Sequence, residues 1–280
     1  MKTLYVSGAL ALALAACSRQ APPPPPPPPA GPHLVTIVAT DYAFAAPDTI
    51  AAGLTTFTLL NQGREPHQAV IVGASAKTWD EIRSAMMSQG PIAPWLSFPG
   101  GPAVVSAGDS SNATTRLEPG NYFIVCFIPS PDGVPHVSKG MVRRLLVAPA
   151  PLTASAPPAE PTADVVLTLS DYAFTFSTPL TAGTHTIRVE NAGPQVHEVS
   201  VEQLGPGKRL ADAQRWLAGG MKGAPPSRPV GGVVGPSVGK VGWFTITLTR
   251  GKYVLSCYVP DAKDGKSHLV HGMLQEITVN

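Results

Sequence analysis

The chain has 280 residues and a formal net charge of +2, with 14% charged and 44% hydrophobic residues. Such a length is enough for two domains of roughly 100 to 150 residues, each with its own hydrophobic core. A net charge this close to zero, without a basic stripe, argues against nucleic acid as a partner.

The N-terminus predicts export and attachment to a lipid. Lys2 precedes an apolar run, Leu4–Ala16, that is too short to span a membrane as a helix. The following Leu-Ala-Ala-Cys sequence resembles a bacterial lipobox, which implies cleavage before Cys17 and lipidation of its thiol. An ordinary signal peptide with an incidental cysteine is the alternative. Ser18 favours, by resemblance to sorting in Gram-negative bacteria, the periplasmic face of the outer membrane.

Two proline-rich segments divide the chain. Pro22–Pro29 is an unbroken proline run, which predicts a polyproline II stalk of roughly 25 Å or, alternatively, a disordered spacer. Ala148–Thr162 is a second Pro/Ala-rich stretch and predicts a linker. The predicted organisation is a signal peptide (1–16), a lipidated cysteine with its stalk (17–32), a first domain (33–149), a linker (150–162) and a second domain (163–280).

The same sequence plan occurs twice after the stalk. Asp41-Tyr42-Ala43-Phe44 recurs 130 residues later as Asp171–Phe174. Gly120-Asn121-Tyr122 recurs 131 residues later as Gly251–Tyr253. The period is far longer than the roughly 20 to 50 residues of a solenoid repeat. We therefore interpret the chain as a tandem domain duplication.

Each copy carries mostly the signals of short strands. Runs of β-branched and apolar residues, bounded by Gly, Pro and Asn turns, predict strands. The predicted strands are Val35–Ala39, Thr55–Leu60, Asn121–Cys126 and Met141–Val147 in the first copy, and Val165–Leu169, Thr184–Val189, Lys252–Cys257 and Met273–Val279 in the second. Many short strands with turn residues between them favour an all-β sandwich or barrel.

One short helix is predicted within each copy. Thr78–Glu81 has the form of a capping box and opens a helix that extends to about Ser88. Arg209–Leu217 is its counterpart in the second copy. Gly/Pro-rich loops are predicted to follow these helices, over Gly90–Ala107 and Gly219–Gly239.

Side chains of metal-ligand type stand at matched positions of the two copies. They are His67, Cys126, His136 and Met141 in the first copy, and His197, Cys257, His268 and Met273 in the second. Two imidazoles and a thiolate in a plane, with a weak axial thioether, form the ligand set of a blue-copper site. The alternatives are inert core residues, or a disulfide joining equivalent interior positions of two separate domains.

These motifs resemble those of the cupredoxin family. The Asn-x-Gly…Pro-His segment, Asn61–His67, resembles the first-ligand strand of plastocyanin, and His-x-x-x-Gly-Met resembles its last two ligands. The longer Cys-to-His loop is closer to the type 1 site of copper nitrite reductases. The resemblance covers the chain after the stalk. It implies two tandem cupredoxin-like Greek-key β-sandwich domains with one type 1 copper each, of which at least one is expected to be occupied.

Two departures from the family pattern concern residues beside the predicted ligands. Gln68 and Glu198 follow the first histidines, where plastocyanin-like proteins usually have Asn. A carboxylate that points inward there would favour Cu(II) and lower the reduction potential. His271 replaces Lys139 of the first copy; it is interpreted as a surface histidine, an electron-exit residue or an additional metal ligand.

The resemblance implies electron transfer through type 1 copper, with periplasmic or envelope redox proteins such as cytochromes as partners and the membrane as a further contact through the lipid. The alternatives are a copper storage or delivery protein and a metal-free interaction module of the envelope. Catalytic relatives add a second copper centre with several histidines, one of them beside the type 1 cysteine. Beyond the predicted ligands this chain offers only three histidines, His33, His185 and His271. The sequence therefore predicts that the chain is not an enzyme.

Overall fold

The structure is a computed structural model that describes residues 31–74, 76–88, 92–150 and 158–280. The predicted signal peptide, the predicted lipidation site Cys17, the proline run and residues 151–157 of the predicted linker lie outside these residues.

The first repeat, residues 33–149, consists mainly of strands with one short α-helix. Its elements are β1 (His33–Thr40), β2 (Ala43–Ala45), β3 (Thr49–Ala51), β4 (Gly53–Asn61), β5 (Val70–Ala74), α1 (Trp79–Met86), β6 (Ser97–Gly100), β7 (Ser110–Leu117), β8 (Gly120–Val125), a 3₁₀ helix (His136–Lys139) and β9 (Val142–Ala148).

The second repeat, residues 163–280, follows the same order, without a counterpart of β3 or of the 3₁₀ helix. Its elements are β10 (Val165–Ser170), β11 (Ala173–Phe176), β12 (Gly183–Asn191), β13 (Val199–Leu204), α2 (Leu210–Ala218), β14 (Ser227–Val233), β15 (Val241–Leu248), β16 (Gly251–Ser256) and β17 (Leu274–Val279).

Each repeat is a sandwich of two sheets. In the first repeat, β2-β1-β4-β7 faces β3-β9-β8-β5-β6, and in the second β11-β10-β12-β15 faces β14-β13-β16-β17. The chain changes sheet between β4 and β5 and again between β7 and β8, as Greek-key sandwiches do. The predicted all-β architecture with one helix in each repeat is confirmed.

Strand alternation explains where the cores lie. Val35, Ile37 and Ala39 of β1 are buried while their neighbours Leu34 and Thr36 are exposed, because successive side chains of a strand point to opposite faces of the sheet. One core cluster fills the first sandwich and includes the buried Cys126 and Met141; another fills the second and includes Cys257 and Met273.

Both predicted helices are confirmed within about two residues. The capping box of α1 is complete: Glu81 N–H donates to Thr78 Oγ1, and the Glu81 carboxylate accepts from Thr78 N–H at 2.8 Å. These two bonds satisfy backbone donors that the first turn of a helix leaves unpaired.

The predicted loops after the helices are wrong in part, because β6 and β14 lie within them. Their Gly/Pro composition is typical of loops, but here glycine allows the backbone in or beside these strands to pass close to a neighbouring backbone. A Cβ on Gly101 would lie 2.1 Å from Ala69 O, and a Cβ on Gly232 would lie 2.0 Å from Val199 O. Close approach of two backbones explains both glycines.

Two backbone hydrogen bonds join the repeats, and each is formed by the residues equivalent to those of the other. Ala103 N–H donates to Gly232 O at 3.2 Å, and Val234 N–H donates to Gly101 O at 3.0 Å. Each residue of one bond is 131 positions from its counterpart in the other. Beside this contact, β7 pairs with β15, so that the first sheet of each repeat contributes to one continuous eight-stranded sheet.

Candidate metal centres

Each predicted centre lies at one end of its sandwich, where a strand of the core stops. In the first repeat, Cys126 directly follows β8, and His136 opens the 3₁₀ helix that leads to Met141. Cys126 N–H donates to Met141 O at 3.3 Å, and Met141 N–H donates to His136 O at 2.9 Å. Backbone bonds therefore hold the three residues together without any metal.

The remaining predicted histidine ligand of the first repeat, His67, comes from the segment after β4. His67 N–H donates to Val105 O at 3.2 Å, and Val105 N–H donates to His67 O at 3.0 Å. Asn61, the last residue of β4, donates from Nδ2 to Val105 O at 3.1 Å and accepts from Gly63 N–H at 2.9 Å. This Asx-type turn fixes the Asn-x-Gly segment that leads to the histidine.

The three donors of the first repeat form a compact triangle. His67 Nδ1 and His136 Nδ1 are 3.1 Å apart, and Cys126 Sγ lies 3.4 Å from the latter nitrogen and 3.9 Å from the former. The centre of this triangle is about 2 Å from each corner, which is close to a usual metal–nitrogen bond length. All three residues have 0% of their surface exposed.

The second repeat reproduces this triangle. His197 Nδ1 and His268 Nδ1 are 3.1 Å apart, and Cys257 Sγ lies 3.3 Å from His268 Nδ1. Met273 is fully buried, and its backbone bonds to Cys257 and His268 in the same pattern. The three ligand atoms lie within 4.8 Å of one another, as they do in the first repeat.

Carboxylates hold the outer nitrogens of three of the four rings. His67 Nε2 lies 3.1 Å from Asp41 Oδ1, and His197 Nε2 lies 2.7 Å from Asp171 Oδ1. His136 Nε2 lies 2.8 Å from Glu65 Oε2. An ionised carboxylate only accepts hydrogen bonds, so the ring proton of each of these histidines resides on Nε2.

The inner nitrogens of the first repeat consequently face each other as two lone pairs. A neutral imidazole with its proton on Nε2 presents Nδ1 as an acceptor, and the two Nδ1 atoms lie 3.1 Å apart. Burial lowers the pKa of His67 and therefore favours the neutral ring. The donor set of two imidazoles, one thiol and a thioether fits type 1 copper.

Burial favours the protonated form of the thiols of Cys126 and Cys257. Burial raises the pKa of Cys126 to about 11. Burial raises the pKa of Cys257 further still, and the nearby Glu198 carboxyl adds to that rise. Both thiols are therefore protonated at neutral pH in the metal-free protein, and a bound cation would favour the thiolate instead.

Asp41 accepts a hydrogen bond from His67 as an ionised carboxylate. Its desolvation acts to raise its pKa, but hydrogen bonds from Arg64 and His67 outweigh that effect and lower the pKa to about 2. The carboxyl group is therefore ionised at neutral pH. It keeps the outer ring nitrogen of His67 protonated and the inner one free.

Gly63 and Gly193 leave the space that these contacts need. A Cβ on Gly63 would lie 2.5 Å from Asp41 Oδ1 and 2.6 Å from His67 Nε2. A Cβ on Gly193 would lie 2.6 Å from His197 Nε2. Only glycine fits at either position without moving the histidine.

The structure brings the histidines and cysteine of each predicted set together and buries the methionine beside them. Sequence reasoning missed the carboxylates, namely Asp41, Glu65, Asp171 and Asp261. A signal was available for two of them, because Asp41 and Asp171 open the duplicated Asp-Tyr-Ala-Phe segment. Glu65 and Asp261 stand at different positions of the plan, so the duplication gave no such signal.

The two centres differ at the residue after the first histidine. Gln68 and Glu198 are both buried. Burial raises the pKa of Glu198 to about 7, against the opposing hydrogen bond from Tyr258 N–H at 2.9 Å. The carboxylate that the sequence predicted close to the second centre therefore points inward.

No protein-family model and no curated protein matches this chain. Solved structures do match. Auracyanin A, a "blue" copper protein from Chloroflexus aurantiacus, is 22% identical, and the match covers 42% of this chain and 99% of that one with a TM-score of 0.30. Blue copper oxidase from Nitrosomonas europaea is 16% identical over 88% and 85%, with a TM-score of 0.23. Copper nitrite reductase from the same organism is 15% identical over 88% and 93%, with a TM-score of 0.26.

These names agree with the resemblance to cupredoxins. The match to auracyanin A covers about one repeat of this chain, and the matches to the other two proteins cover both repeats. The TM-scores are all below 0.5, so the roles of individual residues rest on the geometry of this chain alone. The names do overturn one prediction, that the chain is not an enzyme. The proteins that match both repeats together are named as an oxidase and a reductase. The prediction is therefore wrong, and no particular reaction is assigned to this chain.

None of the helices in the described part of the chain has both the length and the apolar character needed to cross a membrane.

Proposed function

We propose that this chain transfers electrons through type 1 copper held in each repeat, within an exported protein. His67, Cys126, His136 and Met141 would hold the ion in the first domain, at 33–149. His197, Cys257, His268 and Met273 would hold it in the second domain, at 163–280. Copper, when bound, supplies a one-electron couple between Cu(I) and Cu(II).

The observation that carries the proposal is the pair of facing Nδ1 atoms in the first repeat. The outer nitrogens of His67 and His136 lie within hydrogen-bond distance of Asp41 and Glu65, which directs both inner nitrogens at each other and toward Cys126. Histidines that only filled a core would each use the second nitrogen as well, since buried polar atoms are normally paired.

Rigidity and burial favour electron transfer over storage or delivery. Backbone bonds hold Cys126, His136 and Met141 in place, so the ligands need not move when the charge of the ion changes. All three are fully buried, which excludes water and competing ligands. A storage or delivery protein needs ligands that an acceptor can reach.

An optical spectrum of the copper-loaded full chain tests the proposal. We expect an intense charge-transfer band in the visible, from Cu(II)–thiolate bonding, that each of Cys126→Ser and Cys257→Ser halves and the double variant abolishes. The band should bleach on reduction and return on reoxidation without loss of metal. Correctly folded protein without a visible band would overturn electron transfer, and metal release on reduction would favour delivery.

We further propose that Cys17 carries a lipid that anchors the protein at the periplasmic face of the outer membrane, with redox proteins such as cytochromes as partners. The support is the sequence Leu14–Cys17 followed by Ser18. Cys17→Ala should move the protein from the membrane fraction to the soluble periplasm. If it stays with membranes, the anchor is elsewhere.

A further inference from the structure

Beside the second centre lies a group of side chains that the first centre lacks. Asp261, Asp264 and His271 each offer a ligand atom, and these atoms lie within 4.8 Å of one another. His271 Nε2 is 3.2 Å from Asp264 Oδ1. The group is open to solvent on one side, since the His271 and Asp264 side chains are 28% and 36% exposed, whereas the Asp261 side chain is 1% exposed.

We propose that Asp261, Asp264 and His271 bind a divalent transition-metal ion of the zinc or copper type, with the outer nitrogen of His268 as a fourth donor. Two carboxylates and imidazole nitrogen suit such ions. The site is separate from the predicted type 1 centre, although both use the His268 ring. With copper held by Nδ1, the second ion would displace the Nε2 proton to solvent, and the ring would bridge the two ions as an imidazolate.

The orientation of His268 is the first independent support. Its ring is fully buried, and Nε2 has no hydrogen-bond partner among the described residues. That nitrogen points toward Asp261, whose Oδ2 lies 3.7 Å away, which is too far for a hydrogen bond. The three other buried histidines of the two centres all have a carboxylate within 3.1 Å of the corresponding nitrogen.

The first repeat provides an internal comparison. Lys139, the counterpart of His271, donates from Nζ to Asp132 Oδ2 at 2.7 Å and lies 4.8 Å from the centre of the Tyr42 ring. Ser130 stands where the second repeat has Asp261. The first repeat thus supplies its own cation at this place. The second removes that cation and adds a carboxylate, which raises the local negative charge.

Neighbouring contacts hold the group in shape. Tyr172 donates to Asp261 Oδ2 at 2.6 Å and stacks on the His271 ring at a centroid distance of 4.9 Å. Gln195 Nε2 donates to the same carboxylate oxygen at 2.9 Å. Lys263 N–H donates to the other oxygen, Oδ1, at 2.8 Å. A carboxylate has about four lone-pair sites, so these three bonds leave one site for a metal. Lys266 Nζ is 3.7 Å from Asp264 Oδ2, but its side chain is 65% exposed and free to move away.

Zinc titration of the full chain loaded with only two equivalents of copper, one for each His/Cys/His group, tests the inference when binding is measured by calorimetry. Zinc does not displace copper, because copper binds the same donors more tightly. We expect one equivalent of Zn²⁺ to bind. His271→Lys, which restores the arrangement of the first repeat, and Asp264→Asn should each abolish it. Asp132→Asn, the matched change in the first repeat, should leave it intact.

Zinc binding that is absent, or that persists in both His271→Lys and Asp264→Asn, would overturn the inference. His271 and Asp264 are surface residues, so their variants should fold, and circular dichroism checks this. The inference does not depend on the proposed function. If the visible band is missing, only the electron-transfer proposal fails. The second site is then tested by zinc titration of the metal-free protein, where His271→Lys and Asp264→Asn should each remove one of the zinc equivalents that the wild type binds. If the visible band is present but the copper-loaded wild type binds no zinc, only the proposal of a second site fails.

Discussion

The Glu198 carboxyl group accepts a hydrogen bond from the backbone N–H of Tyr258 at 2.9 Å in the interior of the second repeat. Its own N–H donates to Cys257 Sγ at 3.4 Å. A carboxyl group thus lies beside the thiol of the second centre, whereas the first repeat has the amide of Gln68 there. The two centres are therefore not electrostatically equivalent.

The Glu198 carboxyl should make the metal-free protein less stable as the pH rises. Its folded pKa of about 7 is above its ordinary value of 4.5. Between these values the folded state binds more protons than the unfolded state, so the free energy of unfolding falls with rising pH. Glu198→Gln should remove this fall, which amounts to at most about 3 kcal/mol by pH 8.

Urea unfolding of the metal-free protein at pH 5 and pH 8 measures this effect. The wild type should lose more stability between the two pH values than Glu198→Gln does. Gln68→Glu, the matched change in the first repeat, should introduce a similar loss. Identical pH profiles for the wild type and Glu198→Gln would contradict a buried carboxyl group at this position.

The same carboxylate should lower the reduction potential of the second centre. Above pH 7 it is ionised, and a negative charge beside the thiolate favours Cu(II) over Cu(I). Redox titration of the visible band at pH 8 should give a higher potential for Glu198→Gln than for the parent, each measured with Cys126→Ser so that only the second centre absorbs. Gln68→Asn, without a charge change, should shift nothing in the first centre.

The carboxylates behind the histidines should govern copper affinity. Asp41→Asn and Asp171→Asn remove the ionised acceptors that keep the Nε2 protons of His67 and His197 in place. Such changes typically weaken metal binding by about 10- to 100-fold. Competition with a copper chelator measures the loss. Asp80→Asn is the control, because that side chain is 94% exposed; an equal loss there would point to a nonspecific charge effect.

Gly63→Ala should damage the first centre while leaving the fold intact. The added methyl group would lie 2.6 Å from His67 Nε2 and 2.5 Å from Asp41 Oδ1, so one of these side chains must move. The expected result is a weaker or shifted visible band with native circular dichroism. Gly205→Ala meets its nearest atom at 3.4 Å, an ordinary contact, and its band should match the wild type. A normal band in Gly63→Ala would show that the histidine tolerates displacement.

Asn112 should couple the unfolding of the two repeats. Its Nδ2 donates to Thr245 O at 2.8 Å and its Oδ1 accepts from Thr245 N–H at 2.8 Å, beside the pairing of β7 with β15. Asn112→Ala loses both bonds and should lower the free energy of unfolding by about 1 to 3 kcal/mol. Calorimetry should also show a broader transition as the repeats begin to unfold separately. An unchanged transition would mean that other contacts carry the coupling.

Local patterns predicted much of the fold and the inner ligands. The strand that ends at Cys126 and the capping box at Thr78 depend on residues close in sequence, where alternation and end signals act. The two ligand sets were recognisable because type and order recur. The carboxylates were not, since Glu65 and Asp261, which face the outer nitrogens of His136 and His268, come from different segments of the plan. The pairing between the repeats could not be predicted either, because it depends on glycines such as Gly101 and Gly232, and glycine is also common in loops.

The continuous sheet has a consequence for solubility. If the repeats were apart, β7 and β15 would each be the outermost strand of its sheet, with unpaired N–H and C=O groups along part of its length. Such strands are templates for pairing with other molecules and hence for aggregation. By covering these strands with each other, the duplicated chain removes two sites of self-association that a single copy would have to protect by other means.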